Sequence, residues 1–323
     1  MKIALHNTSL SVSPLALGTV NFGSSTCEKD SFYQMDRYKE LGNFIDTAHV
    51  YGDWSPVEKN ASERVIGRWL KSSGMKGKMV ISSKGAHPIY GDPAFRPRLS
   101  KAEIEKDLNE SLEYLGVDAI DIYFLHRDDI SLSVEEIIET MEGFRKDGKI
   151  RYYGVSNWRR DRIEKAQKYA EMSGYTGISC NQLMWSLAKP VFERIEDKTL
   201  VEMDQETYRY HTETQMSVMA YRSIAKGLFS HMFEGTPVRK SAAYQYDQPI
   251  NSKIYDSLVS LSSETGLPIT ALTLSYFLNQ PFPSVAIASF SNEKQLSEGL
   301  DFLARDYDPA VSKALQSLRT DLI

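Results

Sequence analysis

Eight short apolar or β-branched runs punctuate the chain, at positions 15–19, 43–47, 79–84, 119–126, 150–156, 178–182, 217–221 and 284–289. Each is too short for a stable helix and rich in residues that fit a pleated surface, so each predicts a strand. Between them the apolar positions recur at three- and four-residue intervals. That period predicts helices over 28–41, 58–73, 101–115, 133–147, 160–173, 251–278 in two pieces, and 292–304. Gly42, Gly74, Gly116, Gly148 and Gly174 each fall just past a helical pattern, where a left-handed cap favours glycine.

Strand and helix alternating eight times predicts a (β/α)8 TIM barrel, with residues 1–323 forming a single domain. An open doubly wound sheet alternates in the same way. Its G-x-G-x-x-G turn is missing, because the stretch after the first strand reads Gly18-Thr19-Val20-Asn21-Phe22-Gly23. Residues 2–13 predict an N-terminal β-hairpin closing the bottom of the barrel. Two long loops, 85–100 and 183–215, follow strand ends at the C-terminal face and are expected to wall a substrate site.

Composition narrows the function. The formal net charge is -5, and no basic field is available to neutralise phosphates, so a nucleic-acid partner is not expected. The two cysteines, Cys27 and Cys180, have no metal-ligand spacing, and neither a disulfide framework nor a metal site is expected. The first apolar run is broken by His6 and Asn7, and no later run approaches a membrane span. The expectation is a cytoplasmic protein without a membrane partner, its assembly as a monomer or homo-oligomer left open.

In barrels of this kind chemistry gathers at the C-terminal strand ends. Asp46, Lys84 and His126 close the second, third and fourth runs, and Tyr51 follows the second by a short turn. Singly, each has an ordinary reading as a cap, a solvated strand end or a satisfied core group. Together they would project into one mouth. A tyrosine with a pKa near about 10 is a poor acid, and an adjacent ammonium such as that of Lys84 favours its ionised form. Asp46 would keep the lysine charged, and His126 would donate a hydrogen bond to a substrate oxygen.

These residues sit in a longer series: Leu17-Gly18-Thr19 with Phe22-Gly23, Phe44-Ile45-Asp46-Thr47-Ala48 with Tyr51-Gly52, Ser62-Glu63-Arg64 with Ile66-Gly67, Lys84, Asp121-Ile122-Tyr123 with His126, and Gly154-Val155-Ser156-Asn157. In that order they resemble the aldo-keto reductase superfamily over essentially the whole chain. The resemblance implies a catalytic tetrad of Asp46, Tyr51, Lys84 and His126, direct hydride transfer and no metal. It further implies a nicotinamide dinucleotide extended across the mouth: Thr19 and Asp46 beside it, Ser156, Asn157 and Gln182 on the carboxamide, and Tyr221 stacked on the ring. Arg222, Ser223, Lys226 and Gly227 would approach the pyrophosphate, and Ser289, Ser291 and Gln295 the last phosphate site.

NADP(H) is expected in preference to NAD(H), although the arginine near Gln295 and the asparagine near Gly299 of many NADPH-preferring relatives are absent. Lys294 is the expected substitute. Phe22, Trp54 and Trp185 follow strands and are expected to line the substrate pocket. The reading is an NAD(P)H-dependent oxidoreductase interconverting a small carbonyl compound and its alcohol, with Tyr51 as general acid or base. The alternatives are a cofactor-binding regulatory subunit of the channel-associated type, and a Schiff-base enzyme using Lys84.

Overall fold

The computed structural model describes residues 1–92 and 94–322. Strands β1 (Ile3–Ala4) and β2 (Ser11–Val12) pair antiparallel as the N-terminal hairpin. Eight parallel strands follow: β3 (Leu15–Gly18), β4 (Phe44–Asp46), β5 (Val80–Gly85), β6 (Ile120–Leu125), β7 (Ile150–Ser156), β8 (Cys180–Met184), β9 (Ser217–Tyr221) and β10 (Ser284–Ala288). They pair in sequence order, and β10 closes on β3, making a (β/α)8 barrel.

The strand period of two decides what faces inward. Ala16, Phe44, Ile122, Phe124, Cys180, Met219, Val285 and Ile287 fill the barrel interior, while Leu17, Ile45, Ile81, Tyr123 and Val218 turn outward against the helices. Leu5, Leu10 and Val12 of the hairpin segment belong to the interior cluster and seal its lower end. The hairpin is anchored there by His6 N–H on Ser217 Oγ at 2.7 Å and Ser9 N–H on Tyr152 Oη at 2.9 Å.

Two expectations are corrected. The expected 183–215 loop contains a helix, Gln205–Thr214, whose first turn is capped by the Asp204 carboxylate accepting from Thr207 N–H. Its apolar signal is thin, because the residues it buries are Thr207, Tyr210 and His211 rather than an aliphatic stripe. Gly42 has no positive φ. It is small because a Cβ there would lie 2.2 Å from Cζ of Tyr38.

Candidate active site

Following the inward phase one step further toward the C-terminal end of each strand places polar side chains at the mouth. Phe44 leads to Asp46, Ser82 to Lys84, Phe124 to His126, Gly154 to Ser156, Cys180 to Gln182 and Met219 to Tyr221. The same period that packs the core therefore aims these groups at one another.

Asp46 and Lys84 are 2% and 1% exposed and form a 2.7 Å ion pair through Oδ2 and Nζ. Asp46 Oδ1 also accepts from Ser82 Oγ at 2.8 Å and from Gln182 Nε2 at 3.0 Å. The ammonium donates further to Thr47 O at 2.6 Å and to Tyr51 Oη at 3.4 Å, so all three of its protons have acceptors. A buried charge pair is tolerated on such terms, with every remaining donor satisfied. Burial alone would push Lys84 downward, but Asp46 and Tyr51 outweigh it and hold the amine above its ordinary value.

At Tyr51, Lys84 acts in the expected direction, lowering the pKa, but burial outweighs it. Burial raises its pKa more than Lys84 lowers it, and Asp46 adds to the rise, so the phenol sits above its usual range. The physical reason is desolvation of the fully buried phenol; the ammonium, closer to Asp46 and Thr47 than to Tyr51, offsets it only in part. Tyr51 at neutral pH is thus a fully protonated donor. His126 stands edge-on to it, ring centroids 6.1 Å apart, with its backbone N–H fixed to Gly85 O. Burial, then the neighbouring His87, Arg127 and Lys84, hold the His126 imidazole far below its ordinary pKa, so it is neutral. Its Nδ1 has no hydrogen-bond partner among the described residues.

A cavity of about 510 Å³ opens over these groups. Thr19, Asp46, Tyr51 and His126 line it together with Ser156, Asn157, Gln182 and Tyr221, and so do Arg222, Lys226, Gly227, Ser289, Ser291 and Gln295. Asn157 and Arg222 adopt left-handed backbones, with φ of 60° and 56°. Non-glycine strain of this kind gathers at functional sites. Tyr221 Oη donates to Asn157 Oδ1 at 2.6 Å, coupling two residues expected on the nicotinamide.

Four expected site residues lie elsewhere. Ser223 is fully buried and its hydroxyl donates to Ile287 O at 2.7 Å, tying the loop after β9 to β10 instead of facing the cavity. Phe22 and Trp185, each 2% exposed, are core. Trp185 packs on Tyr276, Phe277 and Phe282, with its indole N–H on Tyr276 Oη. Lys294 is spent on Glu234 at 2.5 Å and Glu298 at 4.0 Å. Trp54 is exposed and touches Tyr51 edge-on at 6.0 Å.

Arg127 and Arg239 also line the cavity, and sequence reasoning missed both. Arg127 donates to His126 O, Thr199 Oγ1 and Asp197 Oδ2, each at 2.8 Å, strapping the loop after β8 to the end of β6. Its signal was adjacency to His126. Arg239 reaches Ser291 Oγ at 3.4 Å from a Gly-, Thr- and Pro-rich stretch with no periodic signal. Arg222, Lys226 and Arg239 stand close enough that, after burial, the two arginines lower the pKa of Lys226. Mutually repelling cations around one space are a ready anion site.

Beside the tetrad, ligand atoms of His49, Asp107 and Glu110 lie within 4.8 Å of one another. Asp107 is already committed, its oxygens taken by Arg98 and by Ala86 N–H. No helix among the described residues is long and apolar enough to cross a membrane.

The profile of the Aldo/keto reductase family matches residues 14–320. The uncharacterized oxidoreductase YrpG of Bacillus subtilis is 38% identical over 197 residues, covering 58% of this chain and 59% of that protein. The aryl-alcohol dehydrogenase [NADP(+)] of Phanerodontia chrysosporium is 30% identical over 57% of this chain and 51% of its own. The alignments to these two thus span between half and three fifths of each relative. The B. subtilis oxidoreductase YqkF is 27% identical over 98% of this chain and 95% of that protein. Among solved structures, a thermostable aldo-keto reductase crystallised with the inhibitor epalrestat superposes with a TM-score of 0.70 at 21% identity, covering 98% of this chain and 99% of that one. That likeness concerns the fold.

Proposed function

The chain belongs to the aldo/keto reductase family, and from that premise we propose that it is an NAD(P)H-dependent oxidoreductase that reduces an aldehyde or ketone to an alcohol, or runs the reverse. The observation that carries the reading is that Tyr51 and His126 line one cavity, with the 2.7 Å Lys84–Asp46 ion pair beside the phenol.

The donor set fits a nicotinamide dinucleotide. Ser156, Asn157 and Gln182 offer the mixed donors and acceptors that a carboxamide needs. Arg222, Lys226 and Arg239 offer cations for its phosphates, and Arg239 supports NADP(H) over NAD(H) because it brings positive charge beside Ser291 and Gln295. When bound, the reduced nicotinamide supplies hydride to the carbonyl carbon.

Tyr51 Oη gives its proton to the carbonyl oxygen, completing the alcohol, and takes another from water. Lys84 Nζ stabilises the phenolate left behind, and Asp46 keeps that lysine charged. His126, neutral and wedged against Tyr51, orients the oxygen through one N–H. A Schiff-base role is disfavoured, because that chemistry needs a free amine and Lys84 is held protonated.

The test is NADPH consumption, followed by absorbance, with a panel of small aldehydes and ketones. Tyr51→Phe is expected to lower kcat about 10²–10⁴-fold, the usual range for a positioned proton donor, while NADP⁺ still binds by fluorescence titration. Unchanged turnover in that variant would remove Tyr51 from the mechanism.

A further inference from the structure

We infer that Arg127 is a positioning residue for the reaction. Its guanidinium ties His126 to the segment 197–201, and that segment is tied in turn to Asn157. One buried side chain thereby sets the group that orients the carbonyl against the group proposed to hold the nicotinamide. The inference rests on the carbonyl-reduction reading above.

Arg127 is 7% exposed and lines the same cavity as Tyr51, His126 and Asn157. Its backbone is fixed from the β7 side. The indole N–H of the fully buried Trp158 donates to Arg127 O at 3.2 Å. Arg162 lies 5.3 Å from the centre of that indole and grips both carboxylate oxygens of Asp128 at 3.0 Å. With residues 127 and 128 held in this way, the guanidinium is aimed across to the loop after β8. Each of its three nitrogens is used there or on its neighbour, Nε on Thr199 Oγ1, Nη2 on Asp197 Oδ2 and Nη1 on His126 O. A planar fork can span three acceptors that lie in different directions, and a point ammonium cannot.

The segment that Arg127 grips is itself closed. Asp197 Oδ1 accepts from Thr199 N–H at 2.9 Å, and Met184 N–H donates to Val201 O at 2.9 Å, joining the segment to the end of β8. Val201 N–H then donates to Asn157 Oδ1 at 3.2 Å. The other end of the Asn157 amide donates to Ser156 Oγ at 3.0 Å and to His126 O at 3.5 Å. That last contact is the loosest of the set, so the N–H it uses is the one a bound carboxamide would take over. His126 and Asn157 would then be joined through Arg127 and the segment 197–201.

Hydride and proton transfer need the two reactants in register, and a misplacement of about 1 Å by a change away from the chemistry costs about 10²-fold. Arg127 also carries charge to the site. Burial, then His87, then this guanidinium disfavour a proton on His126. Lysine at 127 would keep the charge and lose the fork, which separates the two contributions.

The test uses Arg127→Lys, Asp197→Asn and Thr199→Val in the full chain, with NADPH and whichever carbonyl of the panel above the parent reduces fastest. Arg127→Lys is expected to lower kcat about ten- to 10²-fold, while KM for the carbonyl and Kd for NADP⁺, by fluorescence titration, move less than about three-fold. Thr199→Val removes one acceptor on an exposed side chain and should lower kcat about three-fold or more with the same split. It keeps the test open if Arg127→Lys does not fold, and Asp197→Asn should act in the same direction. Deuterium at C4 of NADPH should slow each variant at least as much as it slows the parent, because the lost rate lies in hydride transfer. A readout without turnover is amide hydrogen exchange over 199–202, followed by mass spectrometry, which should be faster in each variant than in the parent. Parent-like turnover in Arg127→Lys, losses carried by KM or Kd, a smaller isotope effect, or unchanged exchange overturns this proposal alone. No reduction of any carbonyl by the parent despite NADP⁺ binding overturns the carbonyl-reduction reading and this proposal with it.

Discussion

Two cations near the end of the cavity show how a residue's neighbours decide its use. Lys294 is the cation beside Gln295 that was expected to take up the 2′-phosphate, yet it is 65% exposed and engaged by two glutamates. Arg239 is far away in sequence, pairs with no carboxylate among the described residues, and lies against Ser291. A hydrogen bond to a charged group contributes about 1.5–3 kcal/mol. Arg239→Ala is accordingly expected to weaken NADP⁺ binding about ten-fold or more and NAD⁺ binding less than about two-fold, read by parallel fluorescence titrations. Equal losses for both cofactors would place Arg239 on the shared pyrophosphate instead. The expected tetrad was legible because Asp46, Lys84 and His126 stand at strand ends, Tyr51 follows one of them by a short turn, and their chemistry is complementary. The rise in the Tyr51 pKa was not, since it comes chiefly from burial, which only the packed structure sets.

At the scale of elements, Gly67 separates local preference from packing. It lies in the middle of the helix Ala61–Ser73, where alanine would be favoured by about 1 kcal/mol. A Cβ there would stand 2.0 Å from the backbone oxygen of Tyr114 in the neighbouring helix Lys101–Leu115. A carbonyl cannot rotate aside as a side chain can, and overpacking of this kind costs about 1–3 kcal/mol. Gly67→Ala should therefore lower the urea midpoint despite its better helix propensity. An unchanged or raised midpoint would mean that the two helices part freely. Strand positions were readable to within two residues, as with β8 at Cys180–Met184 against an expected 178–182. The helix Gln205–Thr214 was not, because it packs through polar and aromatic residues.

For the whole molecule, buried histidines set the acid side of stability. His211 is fully buried, its Nδ1–H donating to Met216 O at 3.0 Å and its Nε2 accepting from Asn181 Nδ2 at 3.0 Å, which fixes one neutral tautomer. Burial pushes its pKa down to about 4. Between pH 6.5 and 4 the unfolded chain then takes up a proton that the folded chain refuses, so stability falls as pH falls through that window. His87 and His126 act in the same direction. Glu202, pushed up to about 7 by burial, acts oppositely, favouring the folded state as pH falls below 7. Comparing His211→Gln with the parent cancels the other groups. The variant should lose melting temperature less steeply between pH 6.5 and 4, by up to about 1.4 kcal/mol per pH unit, followed by thermal circular dichroism. Parallel curves would mean that His211 accepts its proton in the folded state.

What the sequence by itself determined is periodic and local: eight strands, the helices with a clear apolar stripe, and which residues stand at strand ends. Side-chain phase follows from a period of two, and so Asp46, Lys84 and His126 could be aimed at one mouth from spacing, while Tyr51 joined them through the family resemblance. The tertiary structure decided everything that depends on who stands next to whom. It moved Trp185 and Phe22 into the core, turned Ser223 to Ile287 and Lys294 to Glu234. It also brought Arg127 and Arg239 to the cavity and His87 against His126. Such outcomes are set by packing and charge pairing between segments far apart in the chain, which no local period records.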